Sequence, residues 1–184
     1  MSLDDFIIKE NYSGSFSETI TAQKKESNNL FTIIKIKKEE SQEKIFQILK
    51  EGMNVLKNLN HPNIIKLIEW REDSKNYIAI CKYCTDGNLR DYSEERKDPF
   101  SEEEVQFIMK QVVSAVKYLH DNKIIHRDIT LNHLYIKYNS KEDKTKKNLL
   151  NSKIFLAGFE LSSHFNEKEF EVCFLEHLFI WPKK

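Results

Sequence analysis

Three groups of residues in this 184-residue sequence have the chemistry of a functional site. His126-Arg127-Asp128 sets an imidazole two residues from a carboxylate. In a loop, such a pair either moves a proton for a reaction or hydrogen-bonds the loop's own backbone. Lys35 stands on an apolar strand, where the ordinary reading of a lysine is a solvated ammonium. Cys81 and Cys84 form one Cys-x-x-Cys pair, but a zinc site needs about four ligands, and the remaining cysteine, Cys173, is far away in sequence. Three cysteines cannot build a disulfide framework either, so they read as buried thiols and no metal site is expected.

The elements that would position these groups follow from hydrophobic spacing. Leu30 to Ile36 is an apolar, β-branched run of strand length, and Ile64 to Ile68 and Tyr77 to Cys81 look similar. Between them, Ile45, Leu49, Met53 and Leu56 fall at helical spacing and stop before Asn60-His61-Pro62, where proline cannot continue a helix. The clearest helix runs from about Ser101 to Asn122. Ser101 and Glu104 make a capping box, with Phe100 and Val105 placed for a hydrophobic staple across it. Val105, Ile108, Met109, Val112, Val113, Val116 and Leu119 form a stripe too wide for a solvent-exposed helix, so burial on several sides is expected. Two short strands follow, Leu134 to Ile136 and Lys153 to Leu156. The polar run Asn139 to Asn151 between them reads as a solvated hairpin loop.

Composition bounds the function. An apolar fraction of 40% with 32% charged residues belongs to a globular chain, long enough for one domain or two small lobes. Lys+Arg and Asp+Glu both total 29, so nothing in the balance calls for nucleic acid or anionic lipid. Met1 to Glu10 has no long apolar core, and no run reaches membrane-spanning length. Neither a signal peptide nor a membrane partner is expected, and a cytoplasmic protein is the default. There is no internal repeat, and four glycines are few.

Placed directly after the long helix and before a strand, His126-Arg127-Asp128 resembles the catalytic loop of eukaryotic protein kinases. Further matches occur in the right order: Ile34-Lys35 on a strand, His61-Pro62-Asn63-Ile64 after a helix, Asp86-Gly87-Asn88-Leu89 after a strand, and Tyr118-Leu119-His120 closing the long helix. The resemblance covers essentially the whole chain and implies an α+β, protein-kinase-like fold. Residues 1–82 would be a β-rich N-lobe with one helix, and residues 83–184 the first part of a helical C-lobe through the activation segment. Asp98-Pro99-Phe100-Ser101-Glu102 and His126 to Leu131, with Thr130 where most kinases carry lysine, look nearest to the polo-like branch. That branch implies a cytoskeletal, ciliary or centriolar location.

The resemblance also assigns roles to individual residues, because phosphoryl transfer rests on positioning and charge neutralisation. Tyr12 to Thr19 aligns with the glycine-rich nucleotide loop and keeps only Gly14, while Tyr12 restricts the turn and Glu18 places a carboxylate near the phosphates. Lys35 matches the lysine that holds the α and β phosphates, but its partner position on the helix is Gly52. Glu51 is one residue off, which rotates it about 100° around the helix. His133 stands in place of a magnesium-binding asparagine and Gly158 in place of a magnesium-binding aspartate, with Glu160 two residues later. Ile33 and Tyr135 stand where an adenine ring would be sandwiched. Asp128 matches the catalytic base, and Leu56, Leu67, His126 and Phe159 match the stacked side chains that link the lobes. The losses fall on chemistry rather than on packing, so Asp128, Lys35 and Gly14 read as vestigial.

Ser162 to Cys173 is similar to an activation segment, and Ile180-Trp181-Pro182-Lys183 to the Ala-Pro-Glu motif that closes one. The chain then stops where a complete kinase continues with the helices that cover Ser101 to Asn122. Phe170, Phe174, Leu178, Phe179 and Trp181 make this tail aromatic, as interfaces and cores both are. The expectation is a pseudokinase, a protein-binding or architectural module without a cofactor. Protein partners in a multi-subunit assembly would cover its incomplete C-lobe. The alternative is an atypical Ser/Thr protein kinase that uses ATP and magnesium with Lys35, Asp128 and Glu160 in a rearranged site.

Overall fold

Alternating apolar side chains in the first half of the chain build one antiparallel sheet. The computed structural model describes residues 3–13, 17–27, 29–38, 43–82, 86–96 and 98–165. Strands β1 (Phe6–Ser13), β2 (Ser17–Lys24), β3 (Leu30–Lys37), β4 (Leu67–Glu72) and β5 (Asn76–Lys82) pair in the order β1-β2-β3-β5-β4. Helix α1 (Glu43–Asn58) connects β3 to β4. With a period of two, the strands send Ile20, Ala22, Ile33, Ile78 and Ile80 to one face, where they bury together with Phe6. Ala79, Cys81 and Leu67 go to the other face and join Met53, Val55 and Leu56 of α1 in the main core.

The second half is mainly helical: α2 (Leu89–Glu95), α3 (Glu102–Asp121) and α4 (Lys141–Lys146), with two two-stranded sheets around them. Strands β6 (Ile124–Ile125) and β9 (Ser163–His164) pair with each other, and β7 (Leu134–Tyr138) forms a hairpin with β8 (Ser152–Leu156). The main core runs on through Leu89, Ile108, Val112, Leu119, Ile154 and Phe159, so α1 and the helical half share one apolar interior. This is the α+β order expected, a β-rich part with one helix followed by a helical part.

Four local expectations are refined. The strand foreseen over Ile64 to Ile68 begins only at Leu67. Ile65 N–H donates instead to Leu156 O at 2.9 Å, and Leu156 N–H to Asn63 O at 2.8 Å, so the turn after Pro62 docks on β8. The capping box forms: Glu104 N–H donates to Ser101 Oγ at 3.2 Å, and Ser101 N–H to Glu104 Oε2 at 2.8 Å. Phe100 stacks on Tyr92 with ring centroids 5.9 Å apart, while Val105 stays exposed. The stripe on α3 divides, since Ile108, Val112, Ala115 and Leu119 are buried but Val105, Met109 and Val113 are 45%, 48% and 56% exposed. Finally, Asn139 to Asn151 is not a plain loop. Asp143 N–H donates to Ser140 Oγ at 3.1 Å to cap α4, and Leu149 is anchored in the core. No helix among the described residues is long and apolar enough to cross a membrane.

Candidate functional site

The loop after β6 is set by hydrogen bonds from two histidines. His126 is 3% exposed, and its Nε2 lies 2.9 Å from Ala157 O. A carbonyl can only accept, so Nε2 carries the proton, and Nδ1 is left to accept from Asp128 N–H at 3.2 Å. The ring is therefore neutral. Burial lowers its pKa to about 4, against partial support from the Ala157 carbonyl. Its edge meets Phe159, with centroids 4.6 Å apart.

His133, in the 3-10 turn Leu131–His133, faces the same aspartate. Its Nδ1 lies 2.9 Å from Asp128 O and 3.3 Å from Asp128 Oδ2, so the Nδ1 proton is donated into that pair of oxygens. The same His133 ring also lies against Gly158. A Cβ at Gly158 would stand 2.4 Å from both Cγ and Nδ1 of His133, and Gly158 has φ +79°, a left-handed conformation that disfavours side chains. Ala157 N–H donates to His133 O at 2.9 Å and keeps the two segments in register. The imidazole thus fills the space that a side chain at position 158 would need.

Lys35 is answered from its own sheet. In the β2–β3 register it stands opposite Glu18, and Lys35 Nζ lies 3.4 Å from Glu18 Oε2. Asn11 Nδ2 donates to the other oxygen of the same carboxylate at 2.6 Å. Glu51 is exposed on α1. Gly52 faces inward, where a Cβ would stand 2.1 Å from Phe159 O and 2.9 Å from Glu160 O. The glycine lets the helix backbone lie against the Phe159–Leu161 turn, a close approach that its spacing along the helix did not reveal. The Lys35–Glu18 pair was also missed. Its signal was available, since a β-hairpin turning at Glu26-Ser27 places residue 18 opposite residue 35.

Leu56, Leu67, His126 and Phe159 are all buried, and the three apolar members belong to the main core. Ile33 is buried in the second cluster between its neighbours Ile20 and Ile80, and Tyr135 is half-buried against the main core. Tyr12 lies on β1 opposite Thr19. Gly14, Cys84 and everything from Asn166 to Lys184 lie outside the described residues, including Cys173 and the aromatic tail. Cys81 is buried on β5. Among the described residues, no group of three or more His, Cys, Asp or Glu side chains could hold a metal ion.

With this geometry in place, comparison with known proteins is decisive about the family: the protein kinase domain matches residues 12–181. The chain belongs to the protein kinase family. It is 32% identical to Serine/threonine-protein kinase 33 of Bos taurus over 151 residues, which is 82% of this chain and 31% of that protein. It is also 32% identical to Calcium/calmodulin-dependent protein kinase type 1 of Macrobrachium nipponense over 160 residues, 86% of this chain and 44% of the relative. Identity to Serine/threonine-protein kinase PLK4 of Xenopus laevis is 33% over 130 residues, 69% of this chain and 12% of the relative. The chain thus spans less than half the length of these relatives.

Proposed function

We propose that this kinase domain is non-catalytic, a pseudokinase serving as a protein-binding or architectural module. The observation that carries the reading is the His133 ring seated against Gly158 and bonded to Asp128. Active kinases bind ATP with magnesium in this cleft, and the residues present do not fit that pair. An imidazole and a glycine stand where two oxygen ligands belong, and a hard cation prefers oxygen. The charge of Lys35 is already met by Glu18. No cofactor is therefore assigned to the cleft.

In this reading residues 1–82 form the N-lobe and residues 83–184 the first part of the C-lobe. Protein partners are supported by the exposed Val105, Met109 and Val113 on α3, since contiguous exposed apolar side chains mark interaction surfaces. A cytoskeletal, ciliary or centriolar setting follows from the polo-like resemblance. The PLK4 similarity agrees with that branch, while the calcium/calmodulin-dependent relative matches more of the chain at nearly the same identity. Incubation of the purified chain with ATP labelled at the γ-phosphate tests the proposal: no transfer to itself or to a general substrate protein is expected.

A second reading is favoured by the retained Lys35 and Asp128, together with relatives whose names denote serine/threonine kinases. It is an atypical Ser/Thr kinase with a rearranged metal site that includes Glu160. Labelling that disappears in Asp128→Asn is the result this reading requires.

A further inference from the structure

Between the Asn60-to-Lys66 turn and the β7–β8 hairpin lies an open cavity of about 500 Å³. Its wall carries four lysines, Lys66, Lys82, Lys137 and Lys153, and no described carboxylate. That segregation stands out in a chain with equal numbers of acidic and basic residues. The backbone brings the lysines together from two sides. Lys82 N–H donates to Lys66 O at 2.9 Å, and Lys137 and Lys153 are directly opposite each other across the β7–β8 ladder.

Like charges in directly opposed strand positions destabilise a hairpin. Three exposed lysines elsewhere in this half do have carboxylate partners, Lys117 with Asp121, Lys144 with Asp86, and Lys146 with Glu142. Lys66 Nζ donates only to Leu59 O at 3.0 Å, a neutral acceptor that leaves its charge unopposed. Phe155, Ile64 and Pro62 give the cavity apolar walls between the ammonium groups. Its volume lies within the range of small-ligand pockets, roughly 300–1,000 Å³.

We propose that this groove binds a ligand presenting at least two adjacent phosphate groups. Each ammonium offers three donors to phosphate oxygens, and a bound polyanion would turn the Lys137–Lys153 repulsion into a shared attraction. Lys35, Asp128, His133 and Gly158 are not among the residues that line the groove, so the proposal stands independently of whether the kinase site is active.

Isothermal titration of the full chain with sodium tripolyphosphate tests it. Saturable one-to-one binding is expected, weakened roughly tenfold by Lys137→Gln or by Lys153→Gln, the equivalent of one lost charged hydrogen bond. Lys117→Gln should bind as the parent does. Melting midpoints of the two groove variants, unchanged or raised, show that they remain folded. A parallel arm with a doubly phosphorylated serine peptide and its unphosphorylated form identifies the source of the phosphate: tighter binding of the phosphopeptide places it on a protein, tighter tripolyphosphate binding on a free molecule. Absence of saturation in both arms, equal binding of the unphosphorylated peptide, or parental affinity in both groove variants overturns the proposal.

Discussion

Adding one methyl group at Gly158 probes the heart of the cleft. Gly158→Ala forces a Cβ into a residue with φ +79° and within 2.4 Å of the His133 ring. The left-handed conformation costs ~1–2 kcal/mol for an L side chain, and overpacking against a ring costs ~1–3 kcal/mol. Lower entropy of the unfolded chain returns ~0.4–1 kcal/mol. A net loss of roughly 1–4 kcal/mol is expected, a large part of the ~5–15 kcal/mol that holds a domain folded. In urea unfolding followed by tryptophan fluorescence, a loss of about 2 kcal/mol at a slope near 2 kcal/mol/M lowers the midpoint by about 1 M. Adding His133→Ala removes the ring and should recover the overpacking part, so the double-mutant cycle should show about 1–3 kcal/mol of coupling. Additive effects to within about 0.5 kcal/mol refute the claim that the imidazole occupies the place of a side chain at position 158.

Three other outcomes follow from the same structure. Gly52→Ala adds a Cβ 2.1 Å from the Phe159 carbonyl oxygen, a backbone atom that cannot swing away; despite the ~1 kcal/mol helix preference for alanine, thermal melting should fall. A melting point at or above that of the parent contradicts the close approach of α1. His126 has its pKa lowered to about 4 by burial, below its ordinary 6.5, so the unfolded chain binds a proton that the folded chain refuses. Its contribution is full above pH 6.5 and is lost as pH falls towards 4, about 3 kcal/mol across that window; His126→Asn should flatten denaturant stability there, and an unchanged pH profile argues against a neutral buried ring. Ser101→Ala removes the hydroxyl of the α3 capping box and should cost about 1 kcal/mol, read as a melting shift of about 2–4 °C, whereas no shift discounts the cap.

Much of the fold could be read from local pattern. The β-branched run at Leu30 to Ile36, the α1 and α3 periodicities and the Ser101–Glu104 box specify their elements through neighbouring residues alone. The docking of Ile64 and Ile65 on β8 could not be read so, because it depends on hydrogen bonds to Leu156, some ninety residues away. Helix α4 hid in polar composition because its cap, Ser140, and its anchor, Leu149, lie outside the helix itself. At the site, spacing picked out Gly52, His133 and Gly158 one at a time as missing groups. Only three dimensions show that His133 and Gly158 are complementary in shape, and that Gly52 is a close backbone contact. The Glu18 carboxylate, expected to repel phosphate, is also the partner of Lys35.

Calorimetric titration of ATP, with and without magnesium, asks most directly whether this cleft can hold the metal nucleotide of an active kinase. The full chain carrying Lys137→Gln and Lys153→Gln keeps the lysine groove from contributing. Magnesium is expected to produce no binding, because His133 and Gly158 offer the metal no side-chain oxygen. Saturable, magnesium-dependent binding of ATP that is abolished by Lys35→Ala contradicts that expectation and returns the domain to the catalytic kinases.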